Sequence, residues 1–456
     1  MTQAIAENDV HVTNFQELAR ERNGNTPGWL QELRRAGMER FRATGFPSNK
    51  DEEWRFTNIK PITATKFSLA AARVDERALE RVNAYTFADD AIAELVFVNG
   101  HFAPKLSKLQ TLPRGLIVKS LHDAITQDEP LVRQHLGRYA KIDANPFVAL
   151  NSGFVRDGAF VHVARGIVVE QPVHLLFVDT SEDEPTVSHP RILIVCEENS
   201  QASLVSSFVG AGSVHLANAV SEVVLGDHAR LDHNKLQHDC AAAYHVSALQ
   251  AKLGRSASFV SHAATIGSRI TRNDLAVTLA GEGAEAVLNG LVLIGGNQHC
   301  DNHTLLEHAA PNCPSYELYK HVLRDEATGV FKGKIFVHQI AQKTDSKQTS
   351  KSLLLSDDAA MNSQPALEIY ADDVKCTHGS TTGPVDEDMV FYLRSRGVSL
   401  EAARHLLTYA FAADITRRIK VDKVRSRLED FMASQAGLPQ DLRITDLGEA
   451  TEQHRT

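Results

Sequence analysis

The segment Gly226-Asp227-His228-Ala229-Arg230-Leu231 decides the fold, because similar segments recur along the chain at a nearly constant interval. Each copy joins a turn to an alanine that is followed, two positions later, by a residue that is apolar and large in most copies. The four copies are Asn199–Leu204, Gly226–Leu231, Gly254–Phe259 and Gly281–Ala286. Their alanines at 202, 229, 257 and 284 lie 27, 28 and 27 residues apart, and a second apolar strand precedes each later turn.

A repeat of this length without helical periodicity indicates a solenoid built of strands and turns. One coil cannot bury its inner face alone, so each coil needs its neighbours to complete a core. The fold predicted is mainly β with α caps: a right-handed parallel β-helix, or β-solenoid, flanked by helical domains. Roughly eight coils at about 4.8 Å each would form a rod about 40 Å long. An irregular sandwich containing the same turns is the alternative.

The chain divides into three regions by the period of its apolar residues. Residues 1–92 are predicted to form an N-terminal helical domain, with a helix starting at Thr26-Pro27 and ending at Gly45. Residues 93–385 form the β-helix core, because short runs rich in Val, Leu and Ile are separated there by turn residues. Residues 386–456 form a C-terminal helical domain.

The C-terminal region contains three predicted helices. Asp386 and Ser399 are expected to cap the first two at their N-termini. The third carries an apolar seam at 3,4,3 spacing and a basic flank. The seam consists of Val421, Val424, Leu428 and Phe431. This combination fits either a solvated basic face or a helix that docks a partner protein.

The composition indicates a soluble globular protein. Hydrophobic residues make up 43% of the 456 residues, and the net charge of −9 argues against general nucleic-acid binding. The first residues lack the apolar core of a signal peptide, and no apolar run approaches the ~18 residues of a membrane span. The five cysteines are scattered without a C-x-x-C pair, which favours a reducing compartment. We therefore expect a cytoplasmic protein that binds neither nucleic acid nor membrane.

Familiar catalytic motifs are absent. The segment Gly329–Ile335 resembles a phosphate-binding loop, but it is one residue short between its glycines and has Ile335 where Ser or Thr must reach magnesium. Nucleotide hydrolysis would therefore have to come from another chain. A β-helical enzyme acting on polysaccharides is the alternative, and it would need a carboxylate pair on one face, for which Asp232 and Asp239 are candidates.

The segment 298–313 is dense in residues that can bind metals. His299, Cys300 and His303 are weak metal-ligand candidates, followed by His308 and Cys313. Their spacing matches no closed zinc pattern, and adjacent strand residues point to opposite faces. We favour a structural role between coils over a self-contained metal site.

The segment Lys375-Cys376-Thr377-His378 places a thiol and an imidazole two residues apart. In an extended strand both side chains project to the same face. They suit iron or an iron–sulfur unit, but two ligands are too few to close a site. On spacing alone, a buried structural cysteine beside a histidine is the commoner case.

A series of motifs between Gly296 and Gly397 resembles the SufB/SufD family of iron–sulfur cluster assembly proteins. The motifs, in their expected order, are Gln298-His299-x-Asp301-x-His303-Thr304, Tyr319-Lys320, Gly329-Val330-Phe331-x-Gly333-Lys334, Lys343-Thr344-Asp345, Leu353-Leu354-Leu355-Ser356, Pro365-x-Leu367-Glu368-Ile369, Asp372-Asp373-Val374-Lys375-Cys376-x-His378-Gly379 and Phe391-Tyr392-Leu393-Arg394-Ser395-Arg396-Gly397. The helical head, with Glu53-Trp54-Arg55-x-Thr57, also agrees with this family. Within it, the chain resembles the SufD branch, because it lacks the clustered N-terminal cysteines of the SufB branch.

The resemblance implies a scaffold subunit without catalytic activity of its own. Such a subunit pairs with SufB and docks the SufC ATPase through its C-terminal helices. A homodimer in place of the pair with SufB stays open, because exposed strands of the body could pair with a second copy of themselves. A transient iron–sulfur cluster or iron would be shared with SufB at the interface, and nothing would be tightly bound to the isolated chain. The resemblance implies that Cys376 and His378 are ligands there. The residues implied for SufC docking are Arg394, Arg396, Leu406, Leu407 and Phe411.

Overall fold

The computed structural model describes residues 10–21, 26–181 and 184–435. The described helices are α1 (Val10–Glu21), α2 (Gly28–Thr44), α3 (Lys60–Thr63), α4 (Glu76–Tyr85), α5 (Leu121–Gln127), α6 (Glu129–His135), α7 (Pro146–Gly153), α8 (Glu387–Ser395), α9 (Leu400–Thr416) and α10 (Asp422–Gln435), with 3-10 turns at Glu52–Trp54 and Ala88–Asp90. The predictions for residues 1–9 and 436–456 lie outside the described residues.

The strands fill the middle of the chain and are mostly about ten residues long. They are β1 (Ser68–Leu69), β2 (Ala93–Val98), β3 (His101–Phe102), β4 (Lys108–Leu109), β5 (Leu116–Ser120), β6 (Gly158–Val163), β7 (Val173–Ser181), β8 (Thr186–Ser188), β9 (Arg191–Cys196), β10 (Gln201–Gly212), β11 (His215–Leu225), β12 (Arg230–His238), β13 (Tyr244–Leu253), β14 (Ser258–Ile266), β15 (Ile270–Leu279), β16 (Glu285–Ile294), β17 (His299–His308), β18 (Pro314–Leu323), β19 (Thr328–Val337), β20 (Asp345–Leu354), β21 (Ala360–Ile369) and β22 (Lys375–Gly383).

Successive strands alternate between two sheets, which confirms the predicted parallel β-solenoid. We call sheet A the one that runs β5-β6-β9-β11-β13-β15-β17-β19-β21, and sheet B the one that runs β3-β2-β7-β10-β12-β14-β16-β18-β20-β22. The pairs within the body are parallel, for example β13 with β15 and β14 with β16. Antiparallel pairs occur at the starting end, where β5 meets β6 and β2 meets β3 and β4.

The core lies between the two sheets and is built from every second residue of each strand. Leu253 and Leu279 of sheet A face Phe259 and Leu288 of sheet B in one apolar cluster, and all four are buried. Polar groups also enter this interior. Lys235 donates hydrogen bonds to Ser247 Oγ at 2.7 Å and to Asn273 Oδ1 of the adjacent coil at 2.6 Å. Burial lowers the pKa of this ammonium to about 7.

The turns before the six sheet B strands from β10 to β20 form a ladder of left-handed corners, which we call the corner ladder. Its members have positive φ and precede the strand by two residues: Asn199, His228, Ser256, Gly283, Asn312 and Lys343. The next residue is small and buried in most coils, such as Ala229, Ala257 and Ala284. Each corner N–H donates to a carbonyl of the next coil, as His228 does to Arg255 at 2.8 Å.

The corner ladder corrects the alignment of the first repeat. Gln201 pairs with Arg230, so Ser200 occupies the position of Ala229, whereas Ala202 is level with Leu231. Ser200 is buried and its hydroxyl donates to Glu197 O at 2.6 Å. The Ser200 hydroxyl is accommodated in this corner because it has a backbone acceptor. The strand register thus shifts the repeat that begins at 199 by two residues relative to the alignment based on alanine.

Most of the helical head packs on the outside of sheet A, whereas α4 packs on β7 and β10 of sheet B. Helix α2 follows Pro27 and ends at Gly45, whose φ of 67° suits glycine, as predicted. Helices α5, α6 and α7 lie between residues 121 and 153, where the sequence analysis predicts only strands. Helix α7 packs against α2, and Gly37 makes this close approach possible, because a Cβ there would lie 2.7 Å from Ala149 O.

The C-terminal helices pack on the outer face of sheet B. Asp386 and Ser399 cap α8 and α9 as predicted, each accepting from backbone N–H groups of the first turn. The apolar seam of α10 is not free for a partner, because Val424 and Leu428 are buried against Tyr85 and the sheet. Its basic flank is held as well, since Arg427 lies over the Tyr85 ring at 4.6 Å.

Candidate functional site

The last coil, β21 with β22, ends the solenoid with two open strand edges. Within the described chain, β21 pairs only with β19 and β22 only with β20. Strand β22 is exposed along most of its length, whereas β20 below it alternates with buried residues. An open strand edge offers unpaired N–H and C=O groups on which another chain can add a strand.

Cys376 and His378 lie on the inner face of this last coil. Cys376 pairs with Ser346 and His378 with Gln348, and both β20 residues are buried and point inward. Ser380, the next residue on this face, hydrogen-bonds across the coil to Ser363 at 2.9 Å. The strand thus brings the two predicted residues to one face, with Cys376 half-buried and His378 exposed. Their role as ligands stays a prediction.

The environment of Cys376 keeps its thiol protonated in the isolated chain. Burial raises the pKa of this thiol, and the neighbouring Asp345 carboxylate adds to the rise. A bound metal cation would instead favour the thiolate form of Cys376, because metal binding requires the thiolate and releases the proton. The thiol and imidazole of this edge therefore fit a soft or borderline metal as two donors of an incomplete ligand set.

A polar column leads from the interior to this edge. Gln348, below His378, donates to Glu317 Oε2 at 2.7 Å. Ser346, below Cys376, is 2.7 Å from Ser315, which is 3.0 Å from His308 Nε2. Burial raises the pKa of Glu317 to about 7. The inner face is therefore polar beneath the two donors.

The candidate ligands His299, Cys300 and His303 do not share one face of β17. His299 faces outward, with Nε2 2.9 Å from Thr57 Oγ1, and His303 faces outward to Glu53 at 3.2 Å. Cys300 points inward, is buried, and has a pKa raised by burial to about 12. Cys300 therefore points away from both histidines, and the role of this set as metal ligands stays a prediction. In the described part of the chain, no group of three or more His, Cys, Asp or Glu residues is arranged to hold a metal ion.

The same strand also holds the head to the solenoid. Arg272 on β15 contacts Asp301 Oδ2 at 2.6 Å and donates to Glu53 O at 2.8 Å. Its guanidinium also lies 4.4 Å from the centre of the Trp54 ring. Thr57 donates to Asp301 as well. The Glu53-Trp54-Arg55-x-Thr57 motif and the Asp301 motif are thus two sides of one contact.

The residues predicted to dock the ATPase divide into exposed and half-buried groups. Arg394 and Arg396 are exposed, and Leu406 is half-buried on α9. Leu407 and Phe411 pack against a buried cluster that joins α8 and α9 to Leu353 of β20. These two therefore also support the helices, and their docking role stays a prediction.

A stronger apolar surface near these residues was missed in the sequence. Met389, Phe391 and Tyr392 on α8 are 54%, 73% and 55% exposed. We call these three residues the α8 patch. The signal was present, because adjacent apolar residues of a short helix point in different directions and cannot all face one core.

The carboxylates proposed for a polysaccharide-active enzyme are not a catalytic pair. Asp232 lies on the outer face of β12, and Asp239 is buried between His215 and His245. Six residues of extended chain lie between them, which corresponds to a separation of about 23 Å. Glycoside hydrolysis needs carboxylates about 5–9.5 Å apart.

The comparisons with known proteins agree with this geometry. The family model for the SufBD core domain of SUF-system iron–sulfur cluster assembly matches residues 177–411, and the model for the SufBD N-terminal region matches residues 7–175. The chain is 31% identical to an iron–sulfur cluster assembly SufBD family protein of Synechocystis over 89% of this chain and 91% of that protein. It is 29% identical to SufD of Escherichia coli over 86% and 89% of the two chains, and 27% identical to SufD of Bacillus subtilis over 88% and 93%. Within the described residues, every helix is too short or too polar to span a membrane.

Proposed function

Because the chain belongs to the SufBD family of iron–sulfur cluster assembly proteins, we propose that it is a non-catalytic cytoplasmic scaffold that pairs with SufB and docks the SufC ATPase. Iron and sulfide are its cargo, assembled between the two scaffold chains. The observation that carries this proposal is the open last coil, where Cys376 and His378 share an uncovered inner face.

The open edges of β21 and β22 support pairing with a second solenoid. A partner with the same fold can align its own last coil edge to edge, since both sheets then continue across the junction. The inner faces of the two chains would meet at the same place. Cys376 and His378 would supply a thiolate and an imidazole there, and the partner would supply the remaining ligands of an iron–sulfur unit.

The α8 patch supports docking of the ATPase. Its three apolar side chains are exposed, and Arg394 and Arg396 lie on the same helix and just after it. A centre of exposed aromatic residues with a cationic rim is typical of a protein interface.

The docking surface and the ligand edge are mechanically connected. Val390 of α8 and Ala403 of α9 are buried with Leu353, the β20 residue that pairs with Gly383 of β22. A displacement of α8 and α9 by the ATPase would therefore reach the last coil through one layer of packed side chains. No catalytic group of this chain is needed for that role.

The first experiment co-expresses the chain with SufB and SufC and compares wild type with Cys376→Ala and His378→Ala. Thr377→Ala is the matched control, because Thr377 is exposed and points to the opposite face of β22. We expect every variant to form the complex, while the two inner-face variants lose most of the iron and sulfide per complex. Normal cluster loading of both variants would place the ligands elsewhere. If wild type purified only as a homodimer, self-pairing would replace pairing with SufB.

The second experiment tests docking with Phe391→Ser. The control is Leu109→Ser, which removes a 52% exposed side chain at the opposite end of the rod. We expect Phe391→Ser to reduce recovery of SufC at least ten-fold and the control to leave it unchanged. Equal recovery in both variants would exclude the α8 patch as the docking surface.

A further inference from the structure

A thiol, an imidazole and a carboxylate meet at the turn between β12 and β13, away from the last coil. Cys240 and Asp239 are neighbours in this turn, and His215 starts β11 in the coil before it. His215 Nε2 is 3.7 Å from Asp239 Oδ1. Cys240 lies near enough to the same imidazole for each group to shift the pKa of the other, and its thiol donates to Ser213 O at 3.5 Å.

The imidazole is seated in a space that the backbone leaves for it. A Cβ on Gly210 would lie 2.4 Å from two atoms of the His215 ring and 2.9 Å from Asp239 Oδ1, so only glycine fits at position 210. His215 is 1% exposed, and within the described structure neither of its ring nitrogens has a hydrogen-bond partner. Cys240 is half-buried beside the exposed Ala241, so this turn lies at the protein surface.

The charges around the thiol favour its anion. Burial alone would raise the pKa of Cys240, but the pKa is lowered because His215 stabilises the thiolate. Burial alone would lower the pKa of His215, but its anionic neighbours raise it to about 10, so the imidazole is protonated at neutral pH. The other ionisable groups of the surrounding strands are Asp179 on β7, Lys235 on β12 and His245 on β13.

The other four cysteines have the opposite environment. Burial raises the pKa of Cys196 and Cys300 to about 12, and it also raises the pKa of Cys313 and Cys376. Cys376 is half-buried like Cys240 and thus provides a reference thiol of similar exposure in the same molecule.

We propose that Cys240, His215 and Asp239 form a nucleophilic thiol site that exchanges with low-molecular-weight disulfides. His215 is already an imidazolium beside Asp239, and its charge stabilises the Cys240 thiolate, whose proton passes to the solvent. The Cys240 thiolate attacks one sulfur of a disulfide R–S–S–R, the Cys240–S–S–R bond forms, and R–S⁻ leaves with the electron pair of the broken bond. His215 keeps its own proton throughout, and no further oxidant is needed. This site is independent of the cluster edge at Cys376 and His378.

The experiment labels the full chain with the aromatic disulfide 5,5′-dithiobis(2-nitrobenzoate) and locates the mixed disulfides by peptide mass spectrometry. At pH 7 we expect Cys240 to react at least about ten-fold faster than Cys376, because only thiolate attacks and an ordinary thiol is a few per cent ionised at that pH. Cys240→Ser should abolish the fast phase. Equal rates for the two thiols, or a fast phase that survives Cys240→Ser, would overturn the proposal.

A variant at His215 distinguishes activation of the Cys240 thiol by the imidazole from fast reaction caused only by exposure of that thiol. In His215→Asn the rate at pH 7 should fall about ten-fold, and the half-maximal rate should move to higher pH. His233→Asn removes another buried imidazole, on the inner face of β12, and should leave the fast phase unchanged. If His215→Asn does not fold, the pH–rate profile of Cys240 in wild type decides. A midpoint at or above that of Cys376 would contradict activation by His215.

Discussion

The middle coils and the last coil share one architecture but differ in what covers their inner faces. In β20, the inward residues Ser346 and Gln348 are buried, because β22 lies on one side and β18 on the other. In β22, Cys376 and His378 hold the equivalent positions, and the described strands adjoin them on one side only. An inner-face position is therefore structural within the stack and available for chemistry at its end, without any change of backbone.

The largest difference in stability between the stacked coils and the last coil is expected when an ion pair buried within the stack is broken. Arg191 Nη2 and Glu222 Oε2 are 2.7 Å apart and both side chains are fully buried. Arg191→Met leaves the Glu222 carboxylate without its cation, so we expect a loss of about 3–5 kcal/mol in the free energy of unfolding by urea. The matched variant Lys334→Met breaks the partly exposed pair with Glu368 of the last coil and should cost under about 1 kcal/mol. Similar losses in the free energy of unfolding for both variants would show that ion pairs in the stacked coils and in the last coil contribute equally.

The second prediction compares two leucines of one inner column of sheet A. Leu306 pairs with Ile335, which pairs with Leu367 of the last coil. Leu306 is fully buried, so Leu306→Ala should cost about 2–5 kcal/mol through the cavity that it leaves. Leu367 is partly buried, and its truncation should cost less than half as much. Equal losses in urea unfolding would mean that the last coil is as tightly packed as the middle.

The third prediction concerns the pH dependence of the polar column. Burial raises the pKa of Glu317 from 4.5 to about 7, so the folded chain holds this proton more tightly than the unfolded chain. The stabilisation from Glu317 is complete below pH 4.5 and is lost as pH rises to about 7, by up to about 3 kcal/mol.

Glu317→Gln should remove that loss and raise the melting temperature at pH 8, whereas Glu326→Gln, in an exposed turn, should have no effect. A wild-type stability that does not fall between pH 4.5 and 7 relative to Glu317→Gln would refute the raised pKa.

The smallest effect is expected at the exposed end. His378→Ala should change the free energy of unfolding of the isolated chain by less than about 0.5 kcal/mol, because the side chain is exposed. The same variant should lose cluster in the complex with SufB and SufC. A large loss of stability in the isolated chain would show that His378 is structural.

The sequence predicted the features that depend on local chemistry. The repeat predicted the solenoid, the caps at Asp386 and Ser399 began helices as expected, and alternation placed Cys376 and His378 on one face. The missed helix α7 had a readable start, since Asn145 accepts from Phe147 N and Pro146 opens the helix. This start signal was missed because the segments around it have the pattern of strands.

The features that depend on stacking could not be predicted. His215 and Asp239 are brought together by adjacent coils, and sequence separation gave no sign of this contact. The exposure of His378 depends on the absence of a further described coil, and the burial of the α10 seam depends on Tyr85, far away in the sequence. Pattern analysis identifies inner positions but does not determine what covers them.

The corner ladder also determines the order in which the rod can open. Asn312 N donates to Gln342 O at 2.9 Å, and Lys343 N donates to Asp373 O at 2.7 Å, so each coil protects the corner amide of the coil before it. With coupling between nearest neighbours only, fraying begins at β22 and proceeds inward one coil at a time. Amide hydrogen exchange should therefore follow a gradient along the axis. A bound second scaffold would close the fraying end and slow exchange most strongly at Lys343.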